Sequence, residues 1–290
     1  TDLGERAAGT DPLDPASTIP ADDFFVVLPY GDPEQNRPLR FGTNIAQADV
    51  YFLMDTTGSM AEEVGNVQAG MEGTIVPQVE ALIDDVEFGA GGFDDFPVGS
   101  HGAGTDVPYY HLIDIVPFTQ DDGAMGGPFV PSSDVTTFAA TGANGVPDII
   151  DAIRAYPRHS GSNGCESGVE ALQLTATGEG TSWPAGFFGG PGSIPSRTCT
   201  DIPDETGRRR GWPCFRPGSL PIVVFVSDAP FHEPLPAGWP LDTLEGPSCT
   251  YTDVPAARVY AQARDALVGI GARVVGLSTD SIPSNPGYPS

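Results

Sequence analysis

Three apolar runs in this chain stop at an acidic residue: DVYFLMD at 49–55, VEFGAGGFDD at 86–95 and LPIVVFVSD at 220–228. Short continuous apolar runs of this kind read as strands buried on both faces. Helical patterns alternate with them. Val64, Val67, Met71, Ile75, Val79 and Leu82 recur at helical spacing after the first run. Glu62 and Glu63 fall in the first turn, where the helix dipole favours carboxylates, and Pro77 should kink that helix or mark its last turns. VPDIIDAIRAY (146–156), GCESGVEALQLT (164–175) and VPAARVYAQARDALVGIG (254–271) read as further helices. ARVVGLSTD (272–280), YYHLIDIVPF (109–118) and VTTFAATG (135–142) read as strands. Such alternation constrains the chain to an α/β fold, a Rossmann-like open and mostly parallel sheet with helices on both faces. Ligands bind at the carboxyl ends of the strands in sheets of this kind. Parallel strands would bring Asp55, Asp94, Asp95 and Asp228 to one edge.

Residues 1–48 read as a polar N-terminal arm with a β-hairpin: FFVVLPY (24–30), a turn at GDPEQN, and RPLRFG (37–42) returning. This segment would add an edge hairpin or an extended arm to a main domain at 49–282, followed by a Pro-rich tail at 283–290. The stretches 96–134 and 178–219 are rich in Gly and Pro, and loops this long inside a domain are usually functional. The chain begins with Thr rather than Met, as expected of a mature form or an excised segment.

Thirteen basic residues against 39 acidic ones give a net charge of −26. That field repels nucleic acid and anionic membranes and attracts divalent cations. Solubility accounts for most of the acid. All the basic residues are Arg; the chain has no Lys. No apolar stretch is long enough to span a membrane, so direct membrane insertion is not expected. Cys165, Cys199, Cys214 and Cys249 fit no zinc spacing. An even count in loop-like sequence points to two disulfides and a secreted or cell-surface location. Three pairings are open; Cys199–Cys214 is favoured because it would close the Arg-rich loop TDIPDETGRRRGWP.

The stretch DVYFLMDTTGSM contains D-x-T-x-S at Asp55, Thr57 and Ser59. In a tight turn between strand and helix, alternate side chains can converge on one point, and Gly58 lets the turn close. Carboxylates and hydroxyls are hard oxygen donors that suit Mg²⁺, Ca²⁺ or Mn²⁺.

This spacing resembles the metal-ion-dependent adhesion site of von Willebrand factor A domains, and most closely the A-like domain of integrin β subunits. YFLMDTTGSMAEEVGNVQ, FGAGGFDD, SNGCESGVEAL and VVFVSDA match in order from about 49 to 280. The resemblance implies a central metal held by Asp55, Thr57, Ser59, Glu166 and Asp228. It implies an adjacent site at Glu62 and Glu63, where the family has Asp, and a flanking site at Asp94 and Asn163. Thr57 stands for the usual Ser, Asn163 for an Asp, and Gly161 for an Asn. The family's last strand and helix have no counterpart after residue 280. One to three ions would be held, and an acidic group of a protein or glycan ligand would complete the central coordination. No catalysis is implied.

Two other readings compete. Calcium ions could merely stiffen an extracellular scaffold. The string hhhhDxTG[ST] also resembles haloacid-dehalogenase phosphatases, in which Asp55 would be a nucleophile. Those enzymes need a Lys, which is absent, and a second Asp where Thr57 stands. Asp55 and Asp228 could instead merely cap helices and turns, as Asp, Thr and Ser often do. The position of the string after a buried strand, the Glu62–Glu63 pair and the matching Glu166 and Asp228 segments together favour the metal site. His101, His111, His159 and His232 show no metal spacing, so solvent or loop roles are expected. Arg208, Arg209 and Arg210 read as a solvated loop, an internal ion-pair partner or a contact for an acidic group.

Overall fold

The computed structural model describes residues 45–118, 149–154, 156–185, 191–199, 209–234 and 249–278. The chain divides into two units, Thr1–Ile45 and Ala46–Ser290, and every element below belongs to the second. The expected hairpin at 24–42, the strand at 135–142 and the tail at 283–290 lie outside the described residues.

Alternation along the first strand builds two cores. Strand β1 (Gln47–Asp55) is buried almost throughout. Val50, Phe52 and Met54 face one side, and Tyr51 and Leu53 the other, as the two-residue period of a strand requires. Strand β2 (Asp85–Phe93) and strand β6 (Leu220–Ser227) pair with β1 in parallel on either side. Strand β9 (Arg273–Ser278) continues the sheet beside β6 in parallel. Strand β3 (Tyr110–Pro117) closes the other edge in antiparallel pairing with β2. The sheet order is therefore β3-β2-β1-β6-β9, mostly parallel with one antiparallel edge.

Helices cover both faces. Helix α1 (Ala61–Gly70), a π-helical turn (Met71–Ile75) and helix α2 (Val76–Glu80) follow β1. They pack Val64, Met71 and Val76 on the Val50/Phe52/Met54 side, together with helix α3 (Ile149–Arg154). Helix α4 (Gly168–Thr177) and helix α5 (Tyr260–Gly269) place Leu174 and Leu267 on the opposite side. On that side Phe93 and Phe225 stack with ring centroids 5.2 Å apart.

Two helix expectations need correction. The run 64–82 is not one helix: it widens into the π turn just before Pro77, whose missing N–H would break a regular ladder. It then ends at Glu80, as Leu82 N and Ile83 N turn back to Val79 O. Ile83 is buried, and Leu82, expected on the apolar face, is 82% exposed. Helix α5 starts at Tyr260 rather than near 254. Glu170 Oε2 takes the Arg258 backbone N–H at 2.9 Å, and Val259 is extended. Its N–H is then capped by Gln262 Oε1 at 2.9 Å.

The 178–219 excursion carries a small antiparallel pair, β4 (Thr181–Trp183) and β5 (Gly192–Ile194). The short strands β7 (Glu233–Pro234) and β8 (Thr250–Tyr251) pair in parallel. Cys199 bonds Cys214, as favoured from the sequence, and Cys165 bonds Cys249. No helix among the described residues is long and apolar enough to cross a membrane.

Candidate metal centre

Register decides what meets at the carboxyl edge. Asp55 pairs level with Phe93, and Met54 with Val226. Asp55, the Asp94–Asp95 pair and the Ser227–Asp228 pair therefore leave their strands side by side. The sheet order also reverses between β1 and β6, where open α/β sheets form their ligand crevice.

The Asp55 carboxylate is held on both sides. Oδ1 accepts the Thr57 backbone N–H at 3.0 Å and the Thr57 hydroxyl at 2.7 Å, and Oδ2 accepts the Ser227 hydroxyl at 2.8 Å. The turn continues as a short 3-10 segment, Gly58–Met60. It brings Ser59 Oγ to 3.5 Å from Thr57 Oγ1, and Ser59 Oγ donates to Asp228 Oδ1 at 3.0 Å. Gly58 eases the close approach of this turn, since a Cβ there would sit tightly, 3.2 Å from the Ser160 carbonyl. Asp55 and Thr57 are buried, Ser59 is exposed and Asp228 is half-buried.

Glu166 enters from a different segment. It lies in extended backbone bridged to Phe231, with Glu166 N donating to Pro230 O at 2.9 Å and His232 N donating to Glu166 O at 2.8 Å. Gly161, at φ +66°, passes between Glu166 and Thr57: a Cβ there would lie 3.5 Å from both Glu166 Oε1 and Thr57 Cβ. Glu166 Oε2 is buried with no hydrogen-bond partner.

The electrostatics follow from this crowding. Burial raises Asp55 to about 6, against the opposing hydrogen bonds from Thr57 and Ser227. Burial raises Glu166 to about 10, with added repulsion from Asp55, Asp95, Asp94 and Asp106. Asp55, Thr57, Ser59, Glu166 and Asp228 thus offer hard oxygen donors, an orphaned buried oxygen and excess negative charge. Oxygen donors of this kind suit Mg²⁺ or Ca²⁺ in general. Among the described residues, however, the groups of three acidic or His ligand atoms within 4.8 Å of one another do not include Asp55, Glu166 or Asp228.

Asp94 and Asn163, the expected flanking pair, have different hydrogen-bond partners. Asp94 Oδ1 accepts Thr56 Oγ1 at 2.6 Å, and Asp94 Oδ2 lies 2.5 Å from His159 Nδ1 and accepts Val107 N at 3.3 Å. Asp106 joins this group, raised to about 7 by burial and by Asp94. Asn163 instead contacts His101 Nδ1 at 3.4 Å and His232 Nε2 at 3.3 Å through its amide nitrogen. Glu62 and Glu63 sit in the first turn of α1, Glu62 exposed and Glu63 half-buried. Arg209 donates to the carbonyls of Ile115 and Cys214, and Arg210 pairs with Phe215 across a β-bridge.

Sequence reasoning missed the histidines. The sequence predicts solvent or loop roles; His101 and His232 do lie in loops, but they and His111 are buried. Two groups, Asp94–Asp106–His159 and Asp95–His101–His232, each bring three ligand atoms within 4.8 Å of one another and could hold a metal ion. Each histidine is distant in sequence from at least one of its partners, so no local spacing marks them. The only signal is that each group includes an Asp from the end of β2. No protein-family model and no curated protein matches the sequence.

Proposed function

We propose that this chain is a divalent-cation-dependent ligand-binding domain of the von Willebrand factor A type, secreted or displayed at a cell surface. Asp55, Thr57, Ser59, Glu166 and Asp228 would hold one Mg²⁺ or Ca²⁺ ion, some through water. An acidic group from a protein or glycan partner would complete the coordination. The observation that carries this reading is the Glu166 Oε2 atom, buried without a hydrogen bond and repelled by the carboxylates of Asp55, Asp95, Asp94 and Asp106. Without a cation, burial and the neighbouring carboxylates make Glu166 hold a proton instead, which a bound cation would displace. The two disulfides suit an oxidising location.

The exposure of Ser59 and the half-exposure of Asp228 favour a ligand-accessible ion over a closed structural one. Asp55 is fully buried and bonded at both oxygens, which suits an anchoring ligand better than a nucleophile. Calorimetric titration of metal-free protein with Mg²⁺ and Ca²⁺ tests the reading. Binding should be lost in Asp55→Ala and Asp228→Ala; an isotherm unchanged in both variants rules out the assignment.

A further inference from the structure

We propose that Asp95, His101 and His232 form a second metal site that takes a transition-metal dication of the zinc class. This site lies apart from the oxygen-only group in chemistry and does not depend on the adhesion reading. Three segments build it: the end of β2, the turn that follows, and the approach to β7. All three residues are buried, with Asp95 at 0%, His101 at 8% and His232 at 1% exposure. Their ligand atoms lie within 4.8 Å of one another. Two imidazoles and one carboxylate are a borderline donor set, matched to Zn²⁺ or Co²⁺ rather than to Mg²⁺ or Ca²⁺.

The surroundings orient each ligand. Asp95 Oδ1 accepts the Phe96 N–H at 2.7 Å and the Tyr251 hydroxyl. Asp95 Oδ2 is left buried without an aligned hydrogen bond, although it lies 2.8 Å from His232 Nδ1. The two atoms form a close Asp–His pair, near enough for both to reach one cation. His101 Nε2 lies 2.9 Å from Asp253 Oδ1. A carboxylate behind an imidazole fixes its tautomer and raises its basicity as a ligand. With the proton on Nε2, His101 Nδ1 keeps its lone pair, and the Asn163 amide nitrogen lies 3.4 Å from it.

Asn163 closes the group, held by its own Oδ1, which accepts the Cys165 N–H at 3.0 Å. The His101 and His232 rings meet edge-on, with centroids 4.7 Å apart. An ion at Asp95, His101 and His232 would also support the oxygen-only group, since His232 N donates to Glu166 O. The Cys165–Cys249 disulfide braces the same neighbourhood.

The test uses the full chain stripped by chelator and reloaded with Zn²⁺ or Co²⁺ alone. We expect one tight equivalent of Zn²⁺. Bound Co²⁺ should show the intense visible absorption of a low-coordinate nitrogen–oxygen site. An oxygen-only six-coordinate site would give only a faint band, so the wild-type spectrum decides even if a variant misfolds. His101→Gln should abolish both signals. Asp253→Asn, in an exposed second layer, should weaken Zn²⁺ by about 10- to 100-fold. Ser59→Ala should leave both intact. A wild-type protein without the band, or Zn²⁺ uptake lost in Ser59→Ala and kept in His101→Gln, overturns the proposal.

Discussion

Asp49 and Asp55 sit near opposite ends of β1 and are both completely buried, yet the protein treats them differently. At the amino end, Asp49 Oδ1 meets Arg216 Nε at 2.6 Å, and its Oδ2 accepts the Arg216 backbone N–H at 2.5 Å and the Ser219 hydroxyl at 2.6 Å. Arg216 also reaches Asp85 at 2.7 Å and Glu87 at 3.2 Å. Hydrogen bonds and charge from Arg216 outweigh desolvation and lower Asp85 below the usual carboxylate range. At the carboxyl end, Asp55 has only neutral donors, and the charges acting on Glu166 are all carboxylates. One end carries its own cation. The other collects acid around a position that a cation from outside would complete.

The contrast predicts opposite responses to mutation. Arg216→Ala should be the most damaging change, because it strands a buried Asp49. We expect a loss of about 3–5 kcal/mol in chemical denaturation. A loss under about 1 kcal/mol would break the comparison.

The carboxyl end should respond to metal instead. Divalent ion at about a hundred times its dissociation constant should raise stability by about 2.7 kcal/mol, and Asp228→Ala should remove that gain. An equal gain in wild type and variant would place the ion elsewhere.

pH sharpens the same comparison. Asp55 is raised from 3.8 to about 6 and Glu166 from 4.5 to about 10, each chiefly by burial. The folded, metal-free protein therefore keeps these protons at pH values where the unfolded chain has lost them. Their contribution to stability is full below about pH 4. It falls as pH rises through about 6 for Asp55 and on towards about 10 for Glu166. Metal-free protein should lose denaturation midpoint from pH 5 to pH 8. Metal-loaded protein should lose it on acidification, as protons displace the ion. Parallel profiles with and without chelator would contradict both halves.

Ser59→Ala should have the smallest effect on the fold. Its hydroxyl is exposed, so stability should move by less than about 0.5 kcal/mol. Affinity for Mg²⁺ should still fall in calorimetry, because Ser59 links Thr57 to Asp228. A variant with unchanged affinity would remove Ser59 from the donor set.

The strands were legible because burial on both faces leaves a continuous apolar run, as in DVYFLM and LPIVVFV. Asp55 and Asp228 were legible because each ends such a run. The helix ends were not. Whether α5 starts at 254 or 260 depends on Glu170, remote in sequence, taking the Arg258 N–H, and Leu82 faces solvent because the chain turns back after Val79. The histidines were hidden for a related reason. Local spacing finds ligands on one turn, whereas His101 and His232 come from separate loops.

Sequence alone therefore determined the α/β alternation, the acidic strand ends and the D-x-T-x-S turn, since these depend on local period and residue chemistry. It also favoured the Cys199–Cys214 bond. Tertiary structure decided which carboxylates share a neighbourhood and which find a cation. Parallel register set Asp55 level with Phe93 and next to Ser227, so Asp55, Asp94 and Asp95 were brought to one edge and buried, with Asp228 half-buried beside them. Arg216 was folded back onto Asp49 at the other. Charge is written in the sequence, but its cost depends on distance and burial, and only the fold supplies those.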